Sequence, residues 1–277
     1  MLIKENLSMF EPEVKIIADS ICDTRLTTFQ VKYWRPILPE MNTHRAFSRN
    51  AASSRAMAFS KRCDQVREEA WTPSHWNAEQ KGMVGGEEFS DDVKQIINAD
   101  IQKLANATAN YLEELDGKIQ RITGKSIHKQ YLNRYLEPFI PVVQLISATD
   151  WDNFFMLRMA EDAQPEIRDV ATKMFYLLKE HTPKDVSVGE WHLPYVTDEE
   201  LKEYGLETSK WISAARCARV SYKPYDGHTK LENDLALAKR LKSNGHMSPF
   251  EHVAQADPTH HGNQANYVGW LQMRHQF

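Results

Sequence analysis

Between Met41 and Cys63 the chain places five basic residues, Arg45, Arg49, Arg55, Lys61 and Arg62, and no carboxylate. His44, Ser48, Asn50, Ser53 and Ser54 sit among them. Guanidinium groups present planar forks of donors, and hydroxyl and amide side chains add short-range hydrogen bonds. That mixture suits a bound phosphate. The chain as a whole is slightly acidic, with a formal net charge of -4, so the positive charge is local. A charge block of this kind is about as often a solvated face as an anion site.

Three other segments carry residue types that could do chemistry. Gly245-His246-Met247-Ser248-Pro249-Phe250-Glu251-His252 reads first as a helix stop leading into a strand, with two histidines six apart, which is not a helical metal spacing. Asn133-Arg134 before Pro138, and Asn153 to Arg158, each end an apolar helical face on an arginine. Taken singly, such an arginine is a capping or ion-paired residue. No metal ligand set is expected. His260-His261 reads as exposed loop.

The elements that must position these residues follow from periodicity. Glu13 to Ile21 alternates as a strand, and Leu26 to Leu38 is rich in β-branched and aromatic residues and reads as a second strand or extended segment. Pro36 and Pro39 should break it before the basic run, which combines Ala-rich helical propensity with a start as a loop or kinked turn. Trp71 to Ser90, with Pro73, Gly82, Gly85 and Gly86, reads as a surface loop. Asp91 to Gln120 is the clearest helix, with Ser90 and two aspartates at its start. A shorter helix is predicted over Ser126 to Leu136, a β-rich stretch over Phe139 to Ser147, and helices over Asp150 to Ala163 and Glu166 to His181. After an irregular Thr182 to Thr197, helices are predicted over Asp198 to Tyr204, Thr208 to Tyr222 and Lys230 to Asn244, the last stopped by Gly245. Pro249 to Ala256 reads as a strand and the tail as a short helix around Trp270.

A chain of 277 residues, 42% hydrophobic, can bury a sizeable core. Its acidity argues against a general nucleic-acid coat protein. Cys22, Cys63 and Cys217 fit no disulfide framework or zinc spacing, which points to a reducing compartment. No apolar run approaches the roughly 20 residues of a membrane span, and the first residues do not resemble a signal peptide. A cytoplasmic protein is expected.

Taken together, these segments resemble the flavin-dependent thymidylate synthases, the ThyX family. That family's signature is Arg-His-Arg, seven residues, then Ser; here it stands as Thr43-His44-Arg45, seven residues, Ser53, followed by Arg55. Ser48 and Asn50 also match. The family's Gly-His-x-Ser/Thr-Pro-Phe-Glu-His element matches Gly245 to His252, and Ala214 to Tyr222 resembles the helix before it. Asn133-Arg134, Asn153 to Arg158 and Ala163 to Ile167 resemble the family's later nucleotide-binding portion. The chain departs from the family in order: the Pro-Phe-Glu-His element follows the signature, which suggests a circularly permuted layout. Thr43 replaces the first arginine, weakening or replacing one flavin contact. Ala51 stands where Glu is usual, and Glu40 where Gln is usual.

The resemblance implies a mixed α/β (α+β) fold with long helices, as a single catalytic domain over 1–277. Within it, 1–62 carries the strands and signature, 91–181 the helical substrate-binding portion and 208–277 the flavin-binding loop. It implies FAD, with NADPH and methylenetetrahydrofolate as co-substrates, and active sites between subunits of a homotetramer. The nucleotide would be dUMP, its phosphate held by Ser53, Arg55 and Arg134. Arg158 would face the pyrimidine carbonyls and stabilise developing charge, with Ser53 its catalytic companion and Glu40 on the substrate side. His44, Arg45, Asn50, Asn153, His246 and Ser248 carry over as flavin contacts. No cysteine nucleophile is needed. A pyrimidine-nucleotide hydroxymethylase acting on dUMP or dCMP is the nearest alternative. A single-stranded nucleic-acid-binding protein, with Trp71 and Trp76 as stacking platforms, is a more distant one, and a catalytically dead scaffold with this fold another.

Overall fold

The computed structural model describes residues 11–68, 70–222, 225–259 and 266–277. The histidine pair His260-His261 lies outside the described residues. The alternating segments form long antiparallel strands, β1 (Glu13–Ile21) and β2 (Arg25–Trp34). A short helix α1 (Leu38–Met41) leads to β3 (Ser48–Ala51), and helices α2 (Phe59–Glu68) and α3 (Asp91–Thr123) follow. A single turn, α4 (Lys129–Leu132), tightens into a 3₁₀ segment over Asn133–Phe139 before β4 (Pro141–Ala148). Then come α5 (Asp152–Arg158), α6 (Pro165–Glu180) and two short strands, β5 (Lys184–Asp185) and β6 (Trp191–His192). The C-terminal part holds α7 (Asp198–Arg219), α8 (Leu231–Ser243), a 3₁₀ turn over Ser248–Glu251, β7 (Ala254–Ala256), β8 (Trp270–Gln272) and a 3₁₀ turn over Met273–Gln276.

The main sheet runs β3-β4-β2-β1-β5, antiparallel except for the parallel β1/β5 pair; β6, β7 and β8 form a second, smaller antiparallel sheet. The fold is mixed α/β with long helices, as the sequence implied. Successive side chains of a strand face opposite ways, and both faces of the main sheet are covered. Phe29, Val31 and Tyr33 of β2 and Val142 and Ile146 of β4 pack on Trp151, Phe154 and Phe155 of the α5 region and on Ile167, Val170 and Met174 of α6. On the opposite face Leu145 meets Cys217 and Val220 at the end of α7. At about 25 cal/mol per Å² of apolar surface, this two-sided burial fixes β2 and β4, and β4 in turn pairs with β3, the strand inside the signature run.

Several local readings are corrected. The basic run is neither loop nor helix at Ser48–Ala51: it is an edge strand, because β4 pairs with it, Ser48 opposite Ser147 and Asn50 opposite Leu145. The helix expected from Ser126 shrinks to one turn followed by a 3₁₀ segment, since Pro138 cannot donate to a helical ladder. The helix expected over Asp150 to Ala163 is shorter: Asp150 Oδ1 accepts from the Asp152 backbone N–H, and the helix ends at Arg158. Pro249 starts a 3₁₀ turn, which delays the strand to Ala254. Trp270 lies in a strand because β7 pairs with β8, and only Met273–Gln276 coils. The two helices predicted around Gly205 are present and run on from one another; Gly205, at φ 74°, breaks the helical path between them. No helix among the described residues is long and apolar enough to cross a membrane.

Candidate active site

The signature begins where α1 ends. Thr43 Oγ1–H donates to the Glu40 carbonyl (2.6 Å), closing the turn. His44 is 8% exposed, with its ring stacked on Phe47 and set edge-to-face against Phe154. Its Nε2 accepts the Arg158 Nε–H (2.8 Å), so its own proton resides on Nδ1. Burial, reinforced by the charges of Arg158 and Arg49, lowers the His44 pKa to about 4. A neutral imidazole is thus the acceptor that a guanidinium requires. Arg158 Nη2 also donates to Thr43 Oγ1 (3.0 Å) and reaches the Glu40 carbonyl (3.4 Å).

Helix α5 delivers Arg158 to this position. Phe154 and Phe155 anchor the helix in the core, and Arg158 follows Phe154 by one helical turn, on the same side. The resulting cleft, of about 210 Å³, is lined by Thr43, His44, Arg45, Phe47, Asn153 and Arg158, among others. Four of the residues chosen from sequence (His44, Arg45, Asn153 and Arg158) therefore share one cleft. Asp150, Phe47 and Phe154 also contribute to it and were not chosen; the position of Asp150 just ahead of the helix was the available signal.

A second group forms at the far end of β3, which at four residues spans roughly 13 Å. The Ser53 backbone N–H donates to the Ser221 carbonyl (2.9 Å), and the Arg55 N–H donates to Ser53 Oγ (3.3 Å). Asn133 is fully buried and donates through Nδ2 to the carbonyls of Ser54 (2.7 Å) and Met57 (3.1 Å). This brings Arg134 to the same turn as Arg55. Both arginines are exposed, and Arg134 pairs with Glu137 at 3.4 Å. Asn133 is the residue that joins these two segments, and sequence reasoning assigned it no role. Ser53, Arg55 and Arg134 do not line the Arg158 cleft.

The third group is the Ser248–Glu251 turn. Pro249 and Phe250 are buried while His246 and Ser248 are exposed. The turn packs against β3, the Glu251 carboxylate faces Arg49, and Glu251 accepts from Arg274. His252 Nδ1 bonds Ser147 Oγ (2.7 Å) on β4, opposite Ser48 of β3. Residues remote in sequence thus meet along one edge strand. Asn50, in the middle of that strand, is 6% exposed, and its Nδ2 has no partner among the described residues; Glu40 Oε2 is likewise buried and unpaired. A buried unpaired donor costs about 1–3 kcal/mol, and both atoms fit a ligand carrying carbonyl and ring N–H groups, as an isoalloxazine or a pyrimidine does.

The positive run does not form an open strip. Arg62 is buried and bonds Gln65, and Arg49 donates to the Asn42 carbonyl. Trp71 is buried, and Trp76 donates its indole N–H to Asn98 (2.8 Å). Trp71 therefore cannot serve as a stacking platform, as the nucleic-acid alternative required.

No curated protein matches the chain. Among solved structures, the UMP/dUMP methylase PolB from Streptomyces cacaoi, bound with 5-Br UMP, is 15% identical, with 61% of this chain and 89% of that one covered at a TM-score of 0.45. Thymidylate Synthase X from Helicobacter pylori, with FAD and dUMP, is 18% identical, with 55% and 66% covered at a TM-score of 0.36. The family model described as thymidylate synthase complementing protein matches residues 18–184, more than half of the chain. That span holds the end of β1, β2 to β4, the Thr43–Arg55 run, Asn133-Arg134 and Arg158. The chain belongs to the thymidylate synthase complementing protein family.

Proposed function

We propose that this protein transfers a one-carbon unit to C5 of a pyrimidine mononucleotide, dUMP in the first instance, giving dTMP. The observation that supports this reading best is the triple anchoring of Arg158 on His44, Thr43 and Glu40 inside the span that the family model matches. A guanidinium held that way is preorganised to stabilise negative charge on a ring carbonyl as C5 reacts. Ser53, Arg55 and Arg134 then hold the phosphate from the other end of β3. The exposure of the two arginines suits a dianion arriving from solvent and bound by charge-assisted, forked bonds. Glu40 stands on the substrate side, where its unpaired oxygen accepts a ring N–H.

On the cofactor side we place His44, Arg45, Asn50, Asn153, His246 and Ser248. The unpaired Nδ2 of Asn50 supports a ligand there. Bound FAD, reduced by NADPH, would relay the one-carbon unit from methylenetetrahydrofolate and supply hydride. This chain's residues orient and polarise. The three groups lie along β3 rather than around one cleft, which supports a site completed by neighbouring copies, as in the homotetramer that the family resemblance implies. Ile96, Leu104 and Tyr111 on the outer face of α3 leave apolar surface for such contacts. Packing of the Ser248–Glu251 turn on β3, despite their separation in sequence, supports a permuted chain.

The test is incubation with dUMP, methylenetetrahydrofolate and NADPH, with the product weighed. A mass equal to thymidylate upholds the proposal. A product one oxygen heavier replaces it with hydroxymethylation, and unchanged dUMP with colourless protein defeats both.

A further inference from the structure

Helix α5 stands between two cavities. Toward the Arg158 cleft it turns Asn153, Phe154, Leu157 and Arg158. On its other side Asp152 and Phe155 line a larger cavity of about 610 Å³, bounded by the end of α6 and the start of β2. Asp150, just ahead of the helix, lines both. The function proposed above leaves the larger cavity without a role.

Size and lining restrict its occupant. Sites for drug-sized ligands run from roughly 300 to 1,000 Å³; the cleft falls below that span and the larger cavity within it. The sides are apolar and aromatic, formed by Trp151, Phe155, Phe175 and Leu178. Trp151 stacks on Phe155, and Phe175 stands edge-on to Phe155. Trp151 is 6% exposed, and its indole N–H has no partner among the described residues. The polar groups divide between two ends. At the start of α5, Asp152 is exposed and unpaired among the described residues, and Asp150 spends only Oδ1, on the Asp152 backbone N–H (3.1 Å). At the end of α6, Lys179 is exposed and has no partner among the described residues. Arg25 reaches the same end by donating to the His181 carbonyl (3.0 Å). Asp19 holds Arg25 through Nε and Nη2 (2.9 and 2.6 Å), which leaves Nη1 unbonded among the described residues.

Carboxylates only accept, so Asp150 and Asp152 suit the amino and ring N–H donors of a heterocycle lying between aromatic side chains. Lys179 and Arg25 Nη1 only donate, and suit a carboxylate. A dinucleotide fits worse, because its phosphates would meet two aspartates with Lys179 as the one cation not already paired. We propose that this cavity binds an amino-substituted heterocycle with a carboxylate tail, the chemistry of a pterin carrying glutamate, with Asp150 and Asp152 on the amino edge and Lys179 and Arg25 on the tail. That the occupant is the one-carbon donor rests on the function proposed above; the binding does not.

The probe is folic acid, titrated calorimetrically into the full-length protein, with circular dichroism as a fold control. Asp152→Asn and Lys179→Gln should each weaken folate roughly fivefold, less than the loss of a buried charged bond because both side chains are exposed. The sign of the first is diagnostic: removing a negative charge would strengthen binding of an anion if only general electrostatics acted. Wild-type or tighter folate binding in either folded variant overturns the site, as does wild-type protein that binds no folate, and NADPH weakened in its place gives the cavity to a dinucleotide. The two readings fail separately. Folate held with this pattern by a protein that leaves dUMP unchanged upholds the cavity and defeats the function proposed above; turnover of dUMP equally efficient in both variants, with unaltered folate affinity, keeps that function and overturns the cavity.

Discussion

Thr43→Val isolates one hydroxyl at the candidate site. The change keeps the branched shape and removes two bonds, the donor to the Glu40 carbonyl and the acceptor for Arg158 Nη2. Water can replace the first, since that contact is exposed. The second is a bond to a charged group, about 1.5–3 kcal/mol when buried. Here it is exposed and His44 still holds Nε, so the loss falls below that range, at roughly 1–1.5 kcal/mol. The expected loss is about five- to tenfold in kcat/KM, carried mainly by kcat if Arg158 acts on the transition state. Thr43→Ser should recover most of it. Thr43→Arg, which restores the family residue, should do worse than valine, because two guanidinium groups would then compete for the Glu40 carbonyl. The assay is steady-state turnover of dUMP with circular dichroism as a fold control. A folded Thr43→Val variant within twofold of wild type would refute the idea that the hydroxyl orients Arg158.

Arg158→Ala should abolish turnover with the fold intact; retained activity removes Arg158 from the site. His246→Ala should lower the flavin content of purified protein, and full flavin occupancy would place that segment elsewhere. Burial lowers His44 to about 4 and His192 and His252 to about 3. The unfolded chain, with histidines near 6.5, takes up protons that the folded state refuses. Stability is therefore full at neutral pH and falls as pH drops from about 6.5 toward those folded values; a urea midpoint that stays flat from pH 7 to 4 would contradict it. Cys63 and Cys217 are buried free thiols, the first raised to about 12 and the second pushed up further by burial. Cys217→Ala should keep its activity, and complete loss in a folded variant would revive a thiol nucleophile.

Much of the scaffold was legible because its signals are local. Strands β1 and β2, the long helix α3 and the stop of α8 at Gly245 follow from periodicity and capping chemistry. Strand β3 was not legible: Ser-Arg-Asn-Ala has no strand propensity of its own, and only the register with β4 makes it extended. At the site, the residue types at Thr43–Arg55 and Asn153–Arg158 were readable, and four of them share a cleft. The Arg158–His44 bond spans 114 positions, and no pattern within either segment encodes it. Asn133 escaped because a buried amide that bonds two backbone carbonyls looks, in sequence, like any other asparagine. Trp71 misled for the opposite reason: its surroundings in a glycine-rich loop suggested exposure, and tertiary packing buried it.

The wall that Ser248–Glu251 and Gln272 build against β3 has a consequence for biogenesis. Gln272 Nε2 donates to Ser48 Oγ (2.8 Å), and His252 reaches Ser147. Strands β2, β3 and β4 can pair once residue 148 has left the ribosome, yet their polar face stays uncovered until His252 and Gln272 have been made. Nascent chains fold progressively from the N-terminal side, so that face should stay bare while the residues between Ala148 and Gln272 are being made. Ligand competence should arrive only once Gln272 has been made, and a chain cut before Gln272 should lose far more stability than removal of an unpacked segment costs.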